Sequence, residues 1–145
     1  MTTLQLHTTI DIPAPVEQVW KVLMDWKSYP DWNPFISQLM GQPNVGAQLS
    51  ARIAGMSFRP IVTALEPHKH FGWSGKLWFK GLFDGAHQFR LEPLPNGYTR
   101  LHHSESFSGL LVPIFKGQLL GKTQKGFEAM NQALKAQVEM RMATF

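Results

Sequence analysis

The stretch that decides the fold runs His87-Gln88-Phe89-Arg90-Leu91-Glu92-Pro93-Leu94, then Pro95-Asn96-Gly97, then Tyr98-Thr99-Arg100-Leu101-His102-His103-Ser104-Glu105-Ser106-Phe107. Side chains alternate between the two faces of a strand, so His87, Phe89 and Leu91 share one face, and Leu101, His103, Glu105 and Phe107 share another. A two-residue turn at Asn96-Gly97 would set Leu91 against His102 and put the two apolar faces out of phase. A three-residue loop with Gly97 in the left-handed position pairs Leu91 with Leu101, Phe89 with His103, and His87 with Glu105. Agreement of the faces selects the second register. It makes His87 and Glu105 cross-strand neighbours, with His103 one diagonal away, on the face that should be buried.

The same period extends outward from this hairpin. Leu4 to Ile12 alternates as a strand with one buried face and stops at Pro13-Ala14-Pro15. Val16, Val19, Trp20 and Leu23 follow at helical spacing, and Asp25 to Phe35, with two prolines and four aromatics, reads as a broken helical turn. Strands resume around Leu49 to Ile53 and Phe58 to Leu65, restart at Phe71 and Trp73, and continue through the hairpin above to Ser108. After Pro113 the pattern returns to helix. Leu119 or Leu120, Thr123, Phe127, Met130, Leu134 and Val138 form its apolar stripe, firmest from Phe127 to Met142. Gly117, Gly121 and Gly126 weaken its first turns; they read either as a flexible gate near Phe115 or as points of close packing. The order of elements is strand, short helices, about six strands, long helix. This is an α+β class in which an antiparallel sheet curls around the last helix.

Composition bounds the function. In 145 residues there are ten Phe, seven Met and five Trp, ample for one core, and the whole chain reads as one domain. The longest apolar runs are far below the roughly 18 residues of a membrane span. The opening residues have no secretory pattern, and a cytoplasmic address is the expectation. With no cysteine there is no disulfide, thiolate metal site or cysteine nucleophile. Of the formal net charge of +4, +3 falls within residues 113–145, where the charges are spaced like a solvated helix face without a basic run, so nucleic acid is not the expected partner. No phosphate-binding glycine loop, dinucleotide fingerprint or nucleophile elbow is present, and no cofactor is expected.

Three ionisable groups on an apolar stripe invite three readings: they orient the polar end of a ligand, they form a satisfied structural pair, or they transfer protons as a general acid and base. A metal site is not expected, because the two histidines and the glutamate lack a recognised ligand spacing.

At this point the residues resemble a family. Ile12-Pro13-Ala14-Pro15-Val16-Glu17-Gln18-Val19-Trp20-Lys21-Val22-Leu23, with Asp25, Tyr29, Pro30 and Trp32-Asn33-Pro34-Phe35 after it, resembles the opening of SRPBCC (START-related) domains, especially the polyketide cyclase/dehydrase branch. Leu82-Phe83-Asp84-Gly85-x-His87-x-Phe89 and Thr99-Arg100-Leu101-x-His103-x-Glu105-x-Phe107-x-Gly109-Leu110-Leu111 resemble a bacterial subgroup of it. The resemblance implies a helix-grip fold: a seven-stranded antiparallel sheet around a long C-terminal helix, two short helices after the first strand, and a cavity between sheet and helix. Members bind lipids, sterols, polyketides or other hydrophobic molecules, and some catalyse cyclisation or dehydration with residues that differ from branch to branch. No catalytic set carries over. The expected ligand-binding residues are His87, His103 and Glu105, with Trp32, Phe35, Trp73, Phe89, Phe107, Phe127 and Met130 as candidate walls. The leading expectation is binding, transport or sequestration of a hydrophobic small molecule by a monomer or homodimer. The alternatives are a cyclase/dehydrase-like enzyme using His/Glu proton transfer and an accessory interaction protein.

Overall fold

The computed structural model describes residues 3–76 and 81–143. The first two residues of the opening stretch, read above for a secretory pattern, lie outside them. Strand β1 (Thr3–Ile12) is followed by α1 (Val16–Leu23), a 3-10 turn at Trp26–Ser28 and the short α2 (Tyr29–Trp32). Then come β2 (Ile36–Met40), β3 (Ser50–Ile53), β4 (Met56–Phe58), β5 (Ile61–Glu66), β6 (His70–Lys76), β7 (Asp84–Pro93) and β8 (Thr99–Ser108). Helix α3 (Val112–Gln118) passes through a π turn at Leu119–Thr123 into α4 (Gln124–Ala143).

All pairings are antiparallel, in the orders β1-β8-β7-β6-β5 and β2-β3-β4. The described residues form eight strands, not the expected seven. Arg59-Pro60 interrupts the run read as one strand from Phe58 to Leu65, because proline has no N–H to give a ladder. The Pro60 carbonyl instead accepts from Leu49 N–H, and a lone bridge between Gln48 and Ile61 joins the two sheets at that point. Strand β2 had no counterpart in the sequence reading. Its register shifts against β3 between Ile36 and Gln38, so its two buried residues, Ile36 and Leu39, stand three apart and mask the period of two.

The β7–β8 hairpin has the three-residue loop and the register selected above, with Leu91 opposite Leu101, Phe89 opposite His103, and His87 opposite Glu105. Gly97 takes a φ of 85°, which a residue with a Cβ rarely adopts. Helix α4 packs on β1, β8 and α1 through Phe127, Met130, Asn131, Leu134 and Val138. Its last turn is tied to the 3-10 turn, where the Arg141 guanidinium donates to Asp25 Oδ2 at 2.9 Å and to Ser28 Oγ at 3.1 Å. Buried apolar side chains from α1, the sheets and α4 form one cluster. Among the described residues no helix is long and apolar enough to cross a membrane.

Candidate functional site

A cavity of about 350 Å³ lies where the sheets, the Asn33–Phe35 corner and the α3–α4 junction meet. Phe35, Trp73, Phe83, Phe107, Phe115 and Leu119 supply much of its apolar wall. Ile53, Ala54, Met56, Phe58 and Pro60 close it from the β3–β4 side, and Gln118, Thr123 and the exposed Lys76 add polar groups. Local sequence fixes several of these positions. Asn33 Oδ1 accepts from the N–H groups of Phe35 and Ile36 at 3.0 and 2.8 Å, a side-chain turn that aims Phe35 inward. Phe83 packs between Phe107 and Phe115, with ring centroids 5.7 and 5.4 Å away.

His87 and Glu105 line this cavity, and both belong to a longer hydrogen-bonded chain. His87 Nδ1 lies 2.7 Å from Glu105 Oε1, and His87 Nε2 lies 2.7 Å from His103 Nε2. His103 Nδ1 is 2.8 Å from Asn131 Oδ1. The Asn131 amide donates at 2.9 Å to Thr8 Oγ1, which in turn donates at 2.9 Å to the His103 carbonyl. The two imidazoles sit in an aromatic sleeve, His87 stacked on Trp73 at 4.7 Å and His103 on Phe127 at 4.2 Å. Burial of His103 holds its pKa well below the usual histidine range; the neighbouring His87 adds to this, and the bond to Asn131 opposes it. Glu105 Oε2 has no hydrogen-bond partner among the described residues. It occupies the space above Gly85, where the Cβ of any other residue would fall 2.1 Å from it.

The predicted residues therefore divide. Phe35, Trp73, His87, Glu105 and Phe107 line the cavity. His103 stands one step behind, fully buried, and reaches the cavity only through His87. Phe89 and Phe127 are fully buried against the imidazoles and Met130 is fully buried core; none of the three lines the cavity. Trp32 lies apart, edge-on to Tyr29, with its Nε1–H donating to Ser28 Oγ at 2.9 Å. Sequence reasoning passed over Asn131, Thr8 and Gly85 as site residues. Asn131 stands next to Met130 on the helical stripe and Thr8 on the inner face of β1, so a polar residue on each buried stripe was the available signal. Gly85 was visible as a glycine two residues before His87.

Both nitrogens of each imidazole are spent on protein partners, and among the described residues no group of three or more His, Asp or Glu side chains is placed to hold a metal ion. Chemically, the chain can present one oxygen, Glu105 Oε2, to a molecule in the cavity and keep a proton within reach of it.

Residues 3–139 match the family model described as polyketide cyclase/dehydrase and lipid transport. No curated protein matches the chain. Among solved structures, an aromatase/cyclase from Streptomyces sp. R1128 superposes with a TM-score of 0.77 at 17% identity, over 99% of this chain and 98% of that one. A START superfamily protein from Mycobacterium smegmatis gives 0.71 at 22% identity, over 94% and 98%. Norcoclaurine synthase from Thalictrum flavum, in complex with dopamine and hydroxybenzaldehyde, gives 0.74 at 15% identity, over 96% and 88%. At these identities the neighbours establish the fold, a curved antiparallel sheet around a long C-terminal helix. Taken with the match over almost the full length, the chain belongs to the polyketide cyclase/dehydrase and lipid-transport family.

Proposed function

We propose that this protein binds a hydrophobic small molecule in the cavity, with the ligand's polar end at Glu105 and His87. The observation that carries the reading is a space of about 350 Å³, walled mainly by aromatic and aliphatic side chains, into which projects a carboxylate oxygen with no hydrogen-bond partner among the described residues. Ligand pockets run from roughly 300 to 1,000 Å³ and combine an apolar lining with few placed polar groups, so this one suits a compact ligand of a few fused rings or a short chain. A satisfied structural pair would have spent both carboxylate oxygens on protein donors; among the described residues only Oε1 has one.

A second reading, proton transfer in a cyclase/dehydrase-like reaction, is favoured by one feature. The hydrogen-bonded run from Asn131 to Glu105 connects a buried imidazole to the cavity, the kind of arrangement that holds a proton near a reacting carbonyl or hydroxyl.

Titration with the neutral dye N-phenyl-1-naphthylamine tests the binding reading. Saturable one-to-one fluorescence enhancement is expected, together with a co-purifying small molecule in native mass spectra of protein from its own host. A dye signal that never saturates would sink the proposal. Should a substrate be found, Glu105→Gln, which keeps an acceptor oxygen but cannot transfer a proton, separates the readings: loss of turnover with affinity kept favours catalysis by Glu105, and turnover and affinity both kept favours a binding role for this group.

A further inference from the structure

The hydrogen bonds around Asn131 fix where the protons lie, and that decides which chemical group the cavity accepts. Thr8 Oγ1 has a single proton and gives it to the His103 carbonyl, an acceptor only. The Asn131 atom facing Thr8 must then be the donating Nδ2, which turns Oδ1 toward His103. Since Oδ1 only accepts, His103 carries a proton on Nδ1. A second proton on this fully buried ring is opposed by its apolar surroundings, so Nε2 is a lone pair and accepts from His87 Nε2–H. One proton is left for the 2.7 Å contact between His87 Nδ1 and Glu105 Oε1, bonded to one atom or the other.

In each of these states the cluster is electrically neutral overall. Were the proton to move on to His103 instead, His87 would donate through Nδ1 and Glu105 would be a carboxylate. Glu105 Oε2 is thus unprotonated in all three arrangements, either a carboxylate oxygen or the carbonyl oxygen of the acid. Only a further proton, leaving the enclosed cluster charged, would change that. The missing Cβ of Gly85 gives Oε2 its place in the cavity wall.

We infer that the Glu105 end of the cavity takes a hydrogen-bond donor, a phenolic or aliphatic hydroxyl on an otherwise apolar molecule, and turns away a carboxylate. This rests on the ligand-binding reading above. A carboxylate would set lone pairs against lone pairs beside a mainly apolar wall, whereas a hydroxyl completes the chain that begins at Thr8. On the same grounds Asn131, anchored by Thr8, is a positioning residue: it sets the tautomer of His103 and, through it, that of His87.

The test compares three probes of one shape, 2-naphthol, 2-methylnaphthalene and 2-naphthoate, by their displacement of N-phenyl-1-naphthylamine. Lys76→Gln protein is used, so that the exposed lysine in the lining does not favour the anion. 2-Naphthol is expected to displace the dye at a concentration about tenfold below either of the others, the worth of one hydrogen bond to a charged or strongly polar acceptor. Adding Glu105→Leu should erase that preference. Adding Glu105→Gln should keep it, because the amide gives N–H to His87 and turns its carbonyl to the cavity. Imidazole 15N spectra of the wild type should show His103 protonated on Nδ1 and bare on Nε2, with His87 protonated on Nε2. Equal displacement by 2-naphthoate and 2-naphthol, a naphthol preference that survives Glu105→Leu, or the opposite His103 tautomer would each overturn the inference. If the dye itself fails to bind, the ligand-binding reading falls, and the 15N spectra still decide the proton assignment.

Discussion

At the residue scale the polar chain is costly to interrupt. Asn131 is 2% exposed and has partners on both sides, Thr8 and His103. Asn131→Leu keeps the volume but leaves a buried imidazole N–H and a hydroxyl lone pair unmatched, so we predict a loss of about 1–3 kcal/mol in urea unfolding. A loss within error of zero would mean that these bonds stabilise nothing. His103 gives a second prediction, with a definite sign. Its pKa in the fold lies well below the 6.5 of an exposed histidine, mainly through burial. Below pH 6.5 the unfolded chain takes up a proton that the folded chain refuses. Stability therefore falls as pH drops, by up to about 1.4 kcal/mol per pH unit for this one group, until the folded pKa is reached. Above pH 6.5 neither state binds the proton and the contribution is flat. His103→Gln titrates nowhere in this range, so the wild type should lose more melting temperature than the variant between pH 7 and 5. Parallel curves would place the acid sensitivity elsewhere.

Among the elements, the glycines of the α3–α4 junction separate into two kinds. A Cβ on Gly126 would fall 2.5 Å from Phe35 Cδ1, while a Cβ on Gly121 would meet nothing within 4 Å. Gly126→Ala should therefore force the Phe35 ring toward the cavity and destabilise by about 1–3 kcal/mol, more than the roughly 1 kcal/mol that alanine brings to a helix. Gly121→Ala lacks that conflict and should stabilise by up to about 1 kcal/mol. Thermal melts of opposite sign are the expected outcome; two changes of the same sign would refute the packing argument. The same residues illustrate what a sequence can carry. Alternation along β7 and β8, with a loop whose length sets the register, was enough to bring His87 to Glu105, because a one-residue slip would expose every apolar side chain. Helix α4 was legible for the same reason, from an apolar stripe of known period. Strand β2 was not, since its bulge breaks the period, and the split of β4 from β5 depends on where the Pro60 carbonyl finds a donor. The site was half legible. Phe89 and Phe107 lie on the same face of the sheet, yet one is core and the other wall, a difference set by how α4 covers that face and not by any local pattern.

For the whole molecule, the cavity is a place where the fold forgoes packing. Side chains around an empty apolar volume lose dispersion contacts on one side, and cavity studies put the cost near 24 cal/mol per Å³ in well-packed cores. A chain selected only for stability would fill that space, and this one carries ample Phe, Met and Trp to do so. Filling it by design should therefore separate stability from binding. Thr123 lines the cavity from the π turn and makes no side-chain hydrogen bond among the described residues, so Thr123→Phe leaves no partner stranded. The added ring should occupy the volume between Phe115 and Leu119, hold or raise the melting temperature, and weaken N-phenyl-1-naphthylamine binding by about tenfold or more. A fall of several degrees with binding unchanged would show that the space is already filled by the protein's own side chains and that the dye binds elsewhere. A raised melting temperature with binding lost would show a void that the fold keeps open at its own expense, which is what a site built to receive another molecule requires.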